Sequence, residues 1–351
     1  LTLEAQPDTN ISTILTSLRD HPHLRRLYLH VCVVDLTGLD TLLRSKHSRI
    51  TELEIYTYNE SRPIMGLTRA LEALARRPTL TKLHLRGLHL GRDEARLLRL
   101  ALCNTQSLQS LDLANSFLGS RVLVELAPAL YHNTSIKELK LPFNNLNDKM
   151  SEGLIRDIIL TNKTLTTLNL FANGFGRTTG AVERIANGLG SNSTLLKIDL
   201  SRCALGDAGI AILTQTLGSR NTTLQKITLE NNSITSTGVG VILEMMDQSS
   251  NHITDLGLQY NHTIGHEGAN LFARSLGKNA LPTLTRLSLH YCVIDDDGFI
   301  ALVSALEQNT SLLHLDLRSY LNFSERAFLA LAESLPEIKV LQRIDFRWCT
   351  G

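Results

Sequence analysis

A chain of 351 residues with 35 Lys and Arg against 34 Asp and Glu has a formal net charge of +1, so nothing in its charge marks a general polyanion binder. No run of about 18 apolar residues exists, which excludes a transmembrane helix, and the opening residues do not read as a basic-then-apolar leader. Five cysteines spread along the chain and eight prolines argue against a disulfide framework and a proline-rich linker.

In chain order, Leu1-Thr2-Leu3 reads as the tail of a strand already in progress. The phrase Leu-x-x-Leu-x-Leu then recurs, anchored at Leu24, Ile50, Leu80, Leu108, Ile136, Leu165, Leu195, Leu224, Ile253, Leu284, Leu312 and Leu341. Successive anchors lie 26 to 31 residues apart, a period expected of solenoids. In the unit from Leu195 to Thr223, Leu195, Ile198 and Leu200 alternate with polar residues as in a strand with one buried face. A turn follows, then Ile210, Leu213 and Leu217 at helical spacing, then Asn221-Thr222-Thr223 before the next anchor.

Each unit therefore predicts strand, turn, helix, turn. Strands stack about 4.8 Å apart, whereas helices need about 10 Å each, so the stack must bend. The predicted fold is α/β: a leucine-rich repeat solenoid, or horseshoe, with a parallel β-sheet on the concave side and helices on the convex side. The unbroken period predicts one domain over residues 1–351, of about 12 repeats. The last unit, Leu341 to Gly351, stops just after its strand, and with the strand-like start this suggests a segment of a longer chain.

Three residues beyond the last strand leucine stand Asn144, Asn173, Asn232 and Asn261, each able to bridge turn backbones of adjacent units. The same slot elsewhere holds Cys32, Cys203, Cys292 and Cys349, too widely spaced to pair and suggesting reduced thiols in a cytoplasmic setting. The Asn-x-Ser/Thr joints at Asn133, Asn162, Asn192, Asn221 and Asn309 match the glycan-acceptor pattern, but their recurrence at one structural position is also explained by repeat geometry. Two units are irregular: Tyr56 to Pro63 rewrites a turn, and Asn261-His262-Thr263-Ile264 adds a residue.

Candidate chemistry is sparse. His262 and His266 bracket a turn rather than share a helix face, Asp295-Asp296-Asp297 reads as a helix start, and Gly174-Phe175-Gly176 lacks the lysine of a phosphate loop. Neither a catalytic residue, a cofactor nor a metal is expected. Asp316 and Asp345 share a strand column among Arg286, Arg318, Arg343 and Arg347, as an ion network or a docking patch rather than poised acids. His290 and His314 fall on a diagonal too long to share a metal, and no Ser-His-Asp or Cys-His set is expected to converge on the strand face.

Aromatic residues are the sharper signal. Phe143, Tyr260, Tyr291 and Trp348 follow the last strand hydrophobic residue by two positions and Phe171 follows it by one, at the rim of the concave face. With His290, Arg318 and Arg347 they form the expected partner-binding set, since aromatics and arginine dominate interface hot spots; the alternative is that they cover turn backbone.

Units of 28 to 29 residues with a full helix, such as Leu195 to Gly209, resemble the ribonuclease-inhibitor type of leucine-rich repeat, and the Asn-x-Ser/Thr-Leu joints are similar to those of innate-immune nucleotide-binding receptors and of Ran GTPase-activating proteins. The resemblance covers about residues 11 to 349. It implies a protein-interaction module without enzymatic activity that binds a protein partner, not nucleic acid or membrane, and serves as a sensing or autoinhibitory part of a larger protein. The alternatives it leaves are a structural subunit of a large assembly and an activator of a small GTPase. For the activator, Arg86 and Asn115 would be the rim residues, although the acidic C-terminal tail of that family is absent.

Overall fold

The computed structural model describes residues 1–5, 11–31, 35–57, 64–76, 79–178, 180–248, 251–319 and 323–346. It resolves into two compact units, Leu1–Asn173 and Gly174–Gly351.

In the first unit the strands Thr2–Ala5, Arg26–Val31, Glu52–Thr57, Lys82–Arg86, Ser110–Asp112, Glu138–Lys140 and Thr167–Asn169 pair in chain order, all parallel. Between them run the helices Ile11–Ser17, Leu39–Arg44, Leu67–Leu74, Arg92–Asn104, Gly119–His132 and Lys149–Thr161. The register sets Leu27, Leu53, Leu83, Leu111, Leu139 and Leu168 side by side. Each is at most 2% exposed. Burying a leucine so fully stabilises by about 1.5–3 kcal/mol, so this one column accounts for much of the unit's cohesion.

The second unit repeats the scheme. Strands Lys197–Asp199, Lys226–Thr228, Asp255–Gly257, Arg286–Ser288, His314–Asp316 and Arg343–Asp345 again pair in parallel and in order. The helices are Ala181–Ser191, Gly206–Arg220, Ser236–Met246, Gly265–Gly277, Asp296–Leu306 and Glu325–Ser334, after a short 3-10 turn at Phe175–Arg177. Alternation along three-residue strands sends one side chain inward and two outward, so each repeat presents two strand residues on the open face.

Behind the sheet runs the predicted asparagine ladder. Asn173 Oδ1 accepts from the Asn144 and Leu146 N–H groups at 3.0 and 3.2 Å, while its amide donates to the Leu141 and Leu170 carbonyls at 2.9 Å each. Asn144 does the same for Ser116 N, Leu118 N and the Leu113 carbonyl, as do Asn232 and Asn261 in the second unit. Where the slot holds Cys292, the thiol still donates to the preceding repeat, to the Leu258 carbonyl at 3.2 Å.

A second ladder uses the joint asparagines. Asn133, Asn162, Asn221 and Asn309 are buried, and each donates its side-chain amide to a carbonyl on the helix of the preceding repeat: Leu102, Leu130, Leu189 and Leu276. Side chains so buried leave no room for a sugar on the amide nitrogen, which favours the repeat-geometry reading at these four positions. At Gly176 the chain passes so close to the next turn that a Cβ would stand 1.9 Å from the Ala204 carbonyl oxygen, so only glycine fits.

Candidate binding surface

The turn that leaves each strand fixes what its rim can display. In seven successive repeats the second residue past the last strand hydrophobic has positive φ: Asn115 at 52°, Phe143 at 55°, Ala172 at 57°, Arg202 at 52°, Asn231 at 49°, Tyr260 at 58° and Tyr291 at 57°. Its N–H donates to the carbonyl one position earlier in the next repeat, joining Phe143 to Phe171, Tyr260 to His290 and Tyr291 to Arg318 at 3.0, 3.0 and 2.8 Å. This rung explains why Phe143 meets Phe171, and Tyr260 meets His290, with a one-residue offset.

In the second unit, Tyr260, His290, Tyr291 and Arg318 come together. Ring centroids are 4.6 Å apart for Tyr260 and Tyr291, 5.2 Å for Tyr260 and His290, and 5.3 Å for His290 and Tyr291. His262 lies edge-on to Tyr260 at 6.3 Å. The rings are half-buried, and the polar groups beneath fix them. His290 Nδ1 lies 3.1 Å from Asp316 Oδ2 and 3.1 Å from Ser288 Oγ, while Arg318 donates to both Asp316 oxygens at 2.9 and 2.7 Å. Burial alone would raise the Asp316 carboxyl, but the His290 and Arg318 hydrogen bonds outweigh it and hold that group well below the usual carboxylate range.

In the first unit, Phe143 and Phe171 pair with centroids 5.1 Å apart, and Phe143 is 50% exposed. Beside this pair the sequence reading passed over Phe117, an exposed ring at φ 53° stacked on His89 at 4.0 Å. Its signal was a bulky residue in the second left-handed slot, where neighbouring repeats carry Asn145 or Gly174. Arg347 and Trp348, together with Cys32, Cys349 and the turn at 58–63, lie outside the described residues.

Glu54, His84 and Ser110, on successive strands, stand in line: His84 Nδ1 is 3.4 Å from Glu54 Oε2 and Nε2 is 3.1 Å from Ser110 Oγ. The sequence pattern did not announce this alignment of serine, histidine and glutamate. Its wiring differs from that of a nucleophile. The Ser110 hydroxyl donates to Glu138 Oε2 at 2.7 Å, and the Ser110 N–H is committed to the Thr81 carbonyl. The Glu138 carboxyl, which burial would raise, is held low by Ser110 and Lys140. Activation needs the hydroxyl proton facing the base and amides aimed at a developing oxyanion, so this set is a hydrogen-bonded ion network. Arg86 completes it, donating to Asp112 Oδ2 at 2.8 Å and Glu54 Oε1 at 3.1 Å.

The acidic run at 295–297 is a helix start, with the Asp295 side chain accepting from the Gly298 N–H at 2.9 Å. Among the described residues no group of three or more His, Cys, Asp or Glu is placed to hold a metal, and no helix is long and apolar enough to cross a membrane.

Strand, turn and helix in a repeated parallel stack, with asparagine ladders behind the strands, define a leucine-rich-repeat fold. The Leucine Rich repeat family model matches residues 191–211 and 280–303. Over 331 residues the chain is 25% identical to NACHT, LRR and PYD domains-containing protein 5 of Bos taurus, covering 94% of this chain and 30% of that one. It is 28% identical over 306 residues to the ribonuclease inhibitor of Sus scrofa, covering 87% of this chain and 66% of the inhibitor. The chain thus spans less than a third of the bovine relative's length. Among solved structures, the leucine-rich repeat-containing protein LegL7 of Legionella pneumophila superposes with a TM-score of 0.58 at 20% identity, covering 88% of this chain and 97% of that one.

Proposed function

We propose that this chain is a protein-recognition module whose partner docks on the strand face of the second unit, against the rim of Tyr260, His290, Tyr291 and Arg318. The aromatic pair Phe143 and Phe171 is a further contact on the first unit. Arg347 and Trp348 extend the set on sequence grounds. In this reading the module senses or restrains within a larger cytoplasmic protein and carries no catalysis of its own.

The observation that carries the reading is the cost of the display. A non-glycine residue in the left-handed region costs on the order of 1 kcal/mol or more, least for asparagine, whose side chain bonds locally. Asn115 and Asn231 take that economical option in their repeats, whereas Tyr260 and Tyr291 hold large rings there, half-exposed and packed on His290, which Asp316 holds in place. Rigid aromatics beside a fixed arginine are the residue types that anchor interfaces.

The test is affinity capture from the source cell's extract with the chain and with a Tyr260→Asn/Tyr291→Asn variant. A protein retained by the first and lost from the second supports the reading. An identical catch places recognition elsewhere.

A further inference from the structure

Beside the rim, the strand face of the second unit contains an open cavity of about 410 Å³ lined by Arg286, His314, Arg318, Arg343 and their acidic neighbours. Parallel register sets Arg286, His314 and Arg343 in one row, about 4.8 Å between neighbours. The charges around this row are nearly all spent. Lys226 pairs with Asp255 at 2.9 Å, Arg343 with Asp345 at 3.0 Å, and Arg318 with Asp316 at 2.7 Å. Arg286 is the exception: its side chain is exposed and has no hydrogen-bond or ion-pair partner among the described residues, and His314 beside it has no side-chain partner there either.

We infer that this cavity accepts a single carboxylate side chain from an acidic segment of a protein partner, with Arg286 as the bidentate donor and His314 beside it. The inference rests on the recognition role proposed above and names the chemistry of what is recognised. A guanidinium offers a fork that fits a carboxylate, and a half-enclosed site strengthens that bond over its value in open water. One uncommitted arginine suits one acid. A nucleic-acid backbone presents a charge every few ångströms and needs a run of uncommitted cations, whereas here Asp255, Asp316 and Asp345 already pair with the neighbouring cations Lys226, Arg318 and Arg343.

The geometry also bounds a spacing. Arg286 opens its strand and His290 lies in the turn two residues past the strand's end, a span of at most about 13 Å, so an extended ligand with its acid on Arg286 sets an apolar side chain within about four residues against Tyr260 and Tyr291.

Panning a displayed library of 12-residue peptides on the full chain tests this. The expected outcome is enrichment of sequences pairing Asp or Glu with an apolar residue. By fluorescence anisotropy, a selected peptide should bind about tenfold more weakly when its acid is changed to the amide, and equally more weakly to Arg286→Gln. Arg286→Glu should instead favour the peptide with lysine at that position. Peptides without an acid, indifference to Arg286→Gln, no enrichment at all, or capture of labelled oligouridylate through Arg286 would each overturn it. Peptides that lose affinity with Tyr260→Asn/Tyr291→Asn but not with Arg286→Gln leave the recognition reading intact and remove the acid site. Peptides indifferent to both remove both.

Discussion

Tyr260 and Tyr291 sit in successive repeats with ring centroids 4.6 Å apart, each on a backbone in the left-handed region. The left-handed turn and its rung to the next repeat bring the rings together, and Asp316 beneath His290 fixes their surroundings. Stability does not require this arrangement, because other repeats close the same turn with asparagine.

The ladder asparagines should behave in the opposite way. Asn261→Ala orphans the Asn232 and Ile234 N–H groups and the Leu229 carbonyl, and leaves the Leu258 carbonyl with the Cys292 thiol. Each unsatisfied buried group costs about 1–3 kcal/mol, so urea unfolding should show a loss of several kcal/mol. Asn261→Cys, copying the residue at 292, should recover part of it through the thiol donor. Equal losses would show that the slot needs only shape.

Asp316 gives a pH dependence whose sign is fixed. Its folded-state pKa is depressed below the unfolded value of about 3.9, so its stabilisation is fully present above that value and is lost as pH falls toward the lower folded one. Asp316→Asn should therefore be less stable than the parent at pH 7, with the gap closing below about pH 4 as the parent loses its advantage. A gap independent of pH would mean that the carboxylate charge contributes nothing.

The thiols should separate by exposure. Cys103 is exposed on its helix, while Cys203 and Cys292 are buried, and burial pushes the Cys292 thiol up to about 12. Iodoacetamide at pH 8 followed by peptide mass mapping should label Cys103 within minutes and Cys203 and Cys292 only on unfolding. Labelling of Cys292 in the folded protein would contradict the packing described here.

Much of the fold was legible because a repeat writes its structure many times. The leucine column and the asparagine slot each recur at a fixed offset, so noise in one unit is corrected by the next. The site was less legible. Strand register tells which residues share a column, as with Asp316 and Asp345, but His84 reaches Ser110 along a diagonal that depends on side-chain direction. The pairing of Phe143 with Phe171, one position out of register, follows from a backbone hydrogen bond in the turn that no side-chain pattern announces. That Arg286 alone among the arginines lining the cavity is uncommitted depends on rotamers, which composition does not contain.

The most direct test of the central claim measures partner capture and thermal stability together for Tyr260→Asn/Tyr291→Asn, with Leu200→Ala as the contrasting core variant. The account predicts that the tyrosine variant unfolds within about 1 kcal/mol of the parent, since relief of left-handed strain offsets lost ring contacts, yet no longer captures the partner. Leu200→Ala should lose about 2–5 kcal/mol as a buried cavity and retain capture while folded. A tyrosine variant that loses as much stability as Leu200→Ala, or that keeps its partner, would show that the rim rings serve packing and not recognition.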